Sequence, residues 1–382
     1  MIRRRLALGA LLVMAVAGGT AAIATLSLDR RSSQRPPALQ ARLDAIVESG
    51  VPGVIALTRV GTHTRRVASG LANPRSREPM RPSDRFRIGS ITKTFVATVV
   101  LQLVAEGRLD LDDSVARWLP NLLRNGNRIT IRQLLSHRSG LFDYTDDRHV
   151  FQPYWSQPRF VWTPQRLIAL AASHPLVFTP PGAHFAYSST NYLVLGLIVE
   201  RVTGTALARQ LRERIFRPLG LHDTSFVPGA WPALGEAHGF RAPSHDGVVS
   251  AGATVTDTAS YSASWAWAAG GIVSSADDLA RFFAALLGGR VLRSGLLRAM
   301  ETTPPPGRYG LGLAVFQTRC GRAWGHTGNA LGYVSAVWNT KDGHRQAVLM
   351  VNSYPFSAET DSVVRRALVS AFCDESETIP TS

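Results

Sequence analysis

Ser90 and Lys93 stand three residues apart in Ser90-Ile91-Thr92-Lys93, and their types suit nucleophilic acyl transfer. The lysine is unusual in this chain. Of 42 Lys and Arg residues, only Lys93 and Lys341 are lysine. Arginine stays protonated across the physiological range, whereas a lysine amine gives up its proton when it is buried or crowded by charge. A serine with a lysine one helical turn away therefore has the parts of a nucleophile and its base. The competing reading is a serine that caps a helix and a lysine that faces solvent, because this short pattern also arises by chance.

Two further clusters could handle protons. Tyr187-Ser188-Ser189 lies just before a helix expected from Thr190. A tyrosine acts as a base only where cations lower its pKa from about 10, and Lys93 is the candidate cation. Alone, Tyr187 reads as an ordinary half-buried tyrosine. His326-Thr327-Gly328 lies between two strand-like runs. On an edge strand facing a cleft, His326 offers a cationic or hydrogen-bonding side chain, and Gly328 lets substrate approach closely. A tight turn is the alternative there.

These groups need elements to hold them. ITKTFVATVVLQLVAE, residues 91–106, predicts one helix stopped by Gly107. It is apolar on nearly all faces, so it belongs in the interior. Ser90 then sits at its N-terminus, where free N–H groups and the positive dipole end can face an oxyanion. Strands are expected at 54–60 and 65–69 around a Gly61 turn, then at 309–316, 322–325 with its continuation, 333–338 and 346–351. Helices are expected at 39–47, 131–137, 164–173, 190–202, 206–216, from Ser275 in SADDLARFFAALL, and at 359–372. The irregular stretches 138–162 and 222–262 are of the kind that line sites. Strands at both ends with helices between them predict an α/β (α+β) fold. An antiparallel sheet is flanked by helices, a mainly helical lobe spans about 110–260, and the cleft between them is the natural site.

The bulk properties bound the rest. With 382 residues and 45% hydrophobic composition the chain can form one large-cored unit over 39–376, followed by a tail at 377–382. The net charge is +15, but no basic run interleaves with aromatics, so a cationic surface is expected rather than a nucleic-acid binder. Such a surface favours anionic partners such as a cell envelope. Met1-Ile2-Arg3-Arg4-Arg5 followed by uncharged 6–28 predicts an export signal. The stretch is also long enough for a membrane anchor, and DRRSSQRPPA at 29–38 reads as a linker. A secreted or extracytoplasmic protein is expected. In that setting Cys320 and Cys373 suggest one disulfide, two separate buried thiols being the alternative. No motif asks for a metal or cofactor, and a monomer is expected.

Taken together, S-x-x-K, Y-S-x and H-T-G in this order and spacing resemble the serine β-lactamase and penicillin-binding-protein superfamily. More narrowly, the chain is similar to class C β-lactamases and to secreted actinobacterial D-alanyl-D-alanine carboxypeptidases. The resemblance runs from about Asp84 to Cys373 over DRFRIGSITKTF, LLSHRSGL, PGAHFAYSSTNY, IFRPLGLHDT, AAGGIVSSADDL, YGLGL and GHTGNALGY. LSHRSGLFDYTDD and the cysteine placement lean toward the carboxypeptidases.

The resemblance implies a β-lactamase/transpeptidase-like fold and a serine hydrolase that forms an acyl-enzyme on a peptide, a lactam or an ester. In the first place it implies a D-alanyl-D-alanine carboxypeptidase-like enzyme acting on peptidoglycan peptides, with a β-lactamase or an esterase of the family as the alternative. It implies Ser90 as nucleophile, Lys93 as its proton partner, Tyr187 as acid/base and His326 in the third motif. The oxyanion hole would be the N–H groups of Ser90 and Asn329. Ser189, Trp265, Thr327, Gly328 and Asn329 would meet substrate. Three positions depart from the pattern. Ser189 replaces the usual Asn, Asn329 the usual Thr or Ala, and Ala314-Val315-Phe316 follows YGLGL where the carboxypeptidases carry basic residues. A simple ester is therefore expected to outrun a D-Ala-D-Ala peptide unless an arginine from another loop reaches the pocket. A catalytically weak relative that binds envelope components is the other expectation.

Overall fold

A computed structural model describes residues 38–227, 237–242, 244–245, 248–249, 255–305 and 307–374. The expected leader at 1–28, nearly all of the linker and the tail at 377–382 lie outside the described residues. Among the described residues, no helix is long and apolar enough to cross a membrane.

Seven strands form one antiparallel sheet. Its order is Ala314–Thr318, Gly321–Ala330, Tyr333–Asn339, Arg345–Val351, Gly53–Val60, His63–Asn73 and Glu78–Pro79. The N-terminal hairpin, turning at Gly61 with φ +57°, thus completes a sheet made mostly by C-terminal strands. The central strands are apolar on both faces because both faces are covered. Residues along a strand alternate sides, and the packing follows that alternation. Ile55 and Leu57, paired with Met350 and Val348, face the main core. Val54 and Ala56, paired with Val351 and Leu349, face a second cluster with Leu39, Leu43 and Leu368. That second layer is built by the terminal helices Ala38–Glu48 and Ala358–Cys373.

The helix after Ser90 runs Thr92–Ala105 and is buried along most of its length. Its Phe95 ring stacks on Phe282 at 3.7 Å between centroids. Phe282 belongs to Ala276–Leu287, whose cap Ser275 accepts from the Asp278 N–H at 3.3 Å. The helices Ile131–Leu135, Pro164–Ser173 and Thr190–Thr203 fall close to their expected places. The region 206–216 divides into Leu207–Leu211 and a π turn, Arg212–Phe216. Ser294–Glu301 is a helix that patterning did not single out.

One expected strand is corrected. Of the run Tyr309–Phe316 only Ala314–Phe316 belong to a strand; pairing begins at Ala314, with Tyr309 making only an isolated bridge to it. Two glycines explain the difference. A Cβ on Gly310 would lie 2.0 Å from the Met300 carbonyl oxygen. One on Gly312, at φ +80°, would lie 2.3 Å from Ala97 Cβ. The segment is pressed against helices and donates to them, Leu311 N–H to Met300 O and Gly312 N–H to Leu135 O, both at 3.1 Å.

Cys320, in the turn before Gly321–Ala330, is joined to Cys373 at the end of the last helix. The expected disulfide is present.

Candidate active site

Ser90 lies on a single 3₁₀ turn, Gly89–Ile91, that leads into the buried helix. Two glycines set its position. Gly89 adopts φ +50°, and a Cβ there would lie 2.3 Å from the Asn329 carbonyl oxygen. A Cβ on Gly328 would lie 2.0 Å from the Ile88 oxygen and 2.8 Å from the Ser90 nitrogen. The glycine of H-T-G therefore admits the backbone of the nucleophile turn. The expectation that it makes room for substrate is corrected. This packing brings the backbones of Ser90 and Asn329 together. It occurs on the part of Gly321–Ala330 that lies beyond its pairing with Ala314–Thr318, which ends at Gly325.

Lys93 is fully buried. Its Nζ lies 2.9 Å from Ser90 Oγ and 2.9 Å from the Ala269 carbonyl oxygen. It also stands 5.0 Å from the Tyr187 ring centroid and 5.7 Å from that of Tyr192. Loss of hydration lowers its pKa from 10.5 to about 7, against a smaller opposing pull from Asp143. Near neutral pH a large fraction of Lys93 is free amine, hydrogen-bonded to the nucleophile. That is the state a general base requires.

Tyr187 behaves oppositely to the sequence-based expectation. Desolvation raises its pKa, with the Asp143 charge adding to the rise and a hydrogen bond with Ser90 opposing it. The Lys93 amine does not make it a tyrosinate. Tyr187 is a phenol at neutral pH, a proton donor beside Ser90. Its ring is stacked on His137 at 4.1 Å between centroids and 28° between planes. His137 is buried at φ +55° and accepts at Nδ1 from the Ser188 N–H at 3.1 Å, with Asn191 Nδ2 at 3.2 Å. Those donors place the imidazole hydrogen on Nε2, a buried atom without a hydrogen-bond partner among the described residues. LSHRSGL is thus the floor under the Tyr187 loop, a role that no local pattern in those residues signals.

His326 is also corrected. It is buried, 3% exposed, and does not line the cavity at Ser90. Its Nε2 lies 2.9 Å from the Tyr309 hydroxyl, and its Nδ1 meets the Thr327 carbonyl oxygen. Burial pushes its pKa down to about 3, so it is neutral at pH 7 and supplies no cation to substrate. Its partner Tyr309, the tyrosine of YGLGL, lies 17 residues earlier in sequence.

A cavity of about 480 Å³ opens at Ser90. Of the residues singled out from sequence, Ser90, Tyr187, Ser189, Trp265 and Asn329 line it. Ser189 sits at the start of Thr190–Thr203 without making a side-chain cap. Trp265 packs edge-on against Phe151 at 5.0 Å and accepts at its carbonyl from the Tyr144 hydroxyl at 2.6 Å. Thr327 is exposed and outside the lining. Sequence reasoning missed Asp143 and Arg241, which also line the cavity. Asp143 lay within a noted motif, LFDYTDD; Arg241 stood in an irregular stretch with no signal at all. Among the described residues, no His, Cys, Asp and Glu side chains cluster as a metal site would need.

Residues 39–370 match the family model for Beta-lactamase. Esterase EstB of Burkholderia gladioli is 36% identical over 236 residues, 55% of this chain and 55% of that protein. The D-aminopeptidase of Brucella anthropi is 27% identical over 315 residues, 79% of this chain and 56% of that protein. The chain thus spans little more than half the length of these curated relatives. The crystal structure of a D-stereospecific amidohydrolase from Streptomyces sp. superposes with a TM-score of 0.76 at 37% identity, covering 86% of this chain and 97% of that one. With its sheet order, its Ser90–Lys93–Tyr187 cluster and this match over nearly the whole described chain, the protein belongs to the beta-lactamase family.

Proposed function

We propose that this protein is a serine hydrolase that cleaves amides and esters of amino acids bearing a free α-amino group, with D configuration at the acyl residue. The observation that carries this reading is Asp143. Its side chain lines the cavity at Ser90, one carboxylate oxygen accepts from the Thr145 N–H at 3.1 Å, and it forms no ion pair with a described residue. A nearly buried carboxylate open to a cavity favours an ammonium as its occupant. The D configuration rests on similarity to the D-aminopeptidase and the D-stereospecific amidohydrolase. A plain esterase is the second reading, favoured by the similarity to EstB and by the apolar walls Phe151, Trp265 and Leu331. A D-Ala-D-Ala carboxypeptidase is a further reading; Ala314-Val315-Phe316 supplies no cation for a terminal carboxylate, so this reading rests on Arg241 of the cavity lining.

In this mechanism the Lys93 amine takes the Ser90 Oγ proton as the oxygen attacks the carbonyl carbon. The N–H groups of Ser90 and Asn329 receive the oxyanion. Tyr187 donates its proton to the departing amine or alkoxide, leaving an acyl-enzyme. Lys93 then passes its proton to the Tyr187 phenolate, which restores the amine. Water attacks the acyl carbon while the Lys93 amine takes a proton from it, and Lys93 hands that proton to Ser90 Oγ as the acid departs. We further propose that the protein works outside the cytoplasm, as the charged and then apolar N-terminus suggests; the disulfide supports an oxidising compartment.

The test compares D-phenylalanine p-nitroanilide with its N-acetyl derivative, which lacks the ammonium. The free amine is expected to have at least about tenfold higher kcat/KM. Asp143→Asn should collapse that ratio. Equal turnover of the two substrates by the native protein would remove the ammonium reading and leave the esterase one.

A further inference from the structure

Arg241 is the cation among the described residues that line the cavity, and the acyl-transfer steps at Ser90 give it no role. Its backbone is held firmly. Phe240–Arg241 pairs with Thr256–Asp257, and the Phe240 N–H reaches both Gly332 O at 3.2 Å and Asn352 O at 3.0 Å. The Tyr354 N–H donates to Phe240 O at 3.0 Å. The segment is therefore fastened to the central sheet on one side and to the cavity rim on the other.

The side chain has a partner of its own. The guanidinium carbon stands 4.5 Å from the Trp155 ring centroid. A guanidinium held over an aromatic face keeps N–H donors that can meet a planar anion. Among the described residues, no carboxylate forms an ion pair with Arg241. Burial lowers its pKa, with Tyr261 opposing. A partly desolvated guanidinium without a counter-ion costs free energy that a bound anion offsets. Asp143, the carboxylate of the same lining, is not paired with it, so the cavity holds opposite charges at separate places.

We propose that Arg241, stacked on Trp155, is an anion subsite that selects substrates carrying a carboxylate in addition to the scissile acyl group. The subsite lies outside the three motifs and comes from the 222–262 stretch. It rests on the reading that Ser90 turns over substrates in this cavity. Together with Asp143 it makes the preferred substrate zwitterionic: an ammonium at one place and a carboxylate at another. A guanidinium takes a carboxylate through two parallel N–H···O bonds, which a neutral amide of the same size cannot reproduce.

Two matched pairs locate the carboxylate. The first carries it on the leaving group: D-alanyl-glycine against D-alanyl-glycinamide. The second carries it on the acyl side: D-glutamic acid α-p-nitroanilide against D-glutamine α-p-nitroanilide. In one of the pairs the anionic member is expected to show at least about tenfold higher kcat/KM, mainly through KM. Arg241→Gln should bring that ratio close to one, and Arg241→Lys should restore part of it, which guards against a folding artefact. p-Nitrophenyl acetate, followed with the native protein, keeps the outcomes separate. If neither this ester nor any of the four paired substrates is hydrolysed, the Ser90 reading itself fails. If any of them is hydrolysed while neither pair shows a preference, or the preference survives in Arg241→Gln, the anion subsite is overturned.

Discussion

Acidifying the solution should switch the enzyme off through Lys93, and the structure sets the pH at which this happens. An exposed lysine would place the acid limb of kcat/KM above pH 9. Burial moves it to about 7. One pH unit below that value roughly a tenth of the lysines are free amine, so kcat/KM at pH 6 should be about tenfold below its plateau above pH 8. The histidines near the site do not produce this limb. His326 is held at about 3, and His137 well below its ordinary value by the same burial. Tyr187 is raised, so its limb lies on the alkaline side, above pH 10.

Lys93→Arg keeps a positive charge but removes the base, and should lower kcat/KM by about a hundredfold or more. The assay is hydrolysis of a p-nitrophenyl ester from pH 5 to 10, with Ser90→Ala as background. An acid limb at pH 9 or above, or an arginine variant within about tenfold of native, would refute the assignment of Lys93 as base.

Burial of Lys93 also has a signed effect on stability. The folded pKa lies below the unfolded one, so between about 7 and 10.5 the unfolded chain binds a proton that the native chain does not. Stability contributed by this group therefore rises with pH across that window and is lowest below 7. Lys93→Met should stabilise the protein by a few kcal/mol at neutral pH, on the order of 1.4 kcal/mol for each tenfold loss of proton affinity on folding, and by progressively less toward pH 10. Thermal unfolding of both proteins at pH 7 and pH 10 measures the difference.

Tyr187→Phe should damage amide hydrolysis more than p-nitrophenyl ester hydrolysis, by about a hundredfold or more for amides, because an amine leaves only with a proton and a nitrophenolate does not need one. Equal losses on the two substrates, measured as kcat, would show that Tyr187 is not the donor. Replacing both Cys320 and Cys373 with Ser should lower stability by roughly 2–4 kcal/mol, since the bridge closes a loop with a sequence separation of 53. Denaturant unfolding reads the loss. Labelling of Ser90 by a fluorophosphonate should persist, and its loss would mean that the bridge shapes the site.

The sequence alone determined what depends on local geometry. Serine and lysine three apart at the head of an apolar helix meet because one helical turn brings them together. The short apolar runs at 54–60 and 346–351 were legible as strands because a sheet covered on both faces needs apolar residues on both sides of its central strands. A cysteine in a hairpin turn and another at a helix end were legible as a bridge. What the tertiary structure decided depends on surroundings contributed from far along the chain. His326 looked like a cation for substrate, but Tyr309 and the surrounding core make it a buried neutral ring. Tyr187 looked like a base awaiting a cation, but desolvation near Asp143 makes it an acid. Gly328 looked like space for a ligand, but the Ile88–Ser90 backbone fills that space. Asp143 and Arg241 could not be paired with Ser90 from sequence, since neither sits at a fixed spacing from it. Hydration and long-range packing set the charge and orientation of a side chain, and neither is encoded in its immediate neighbours.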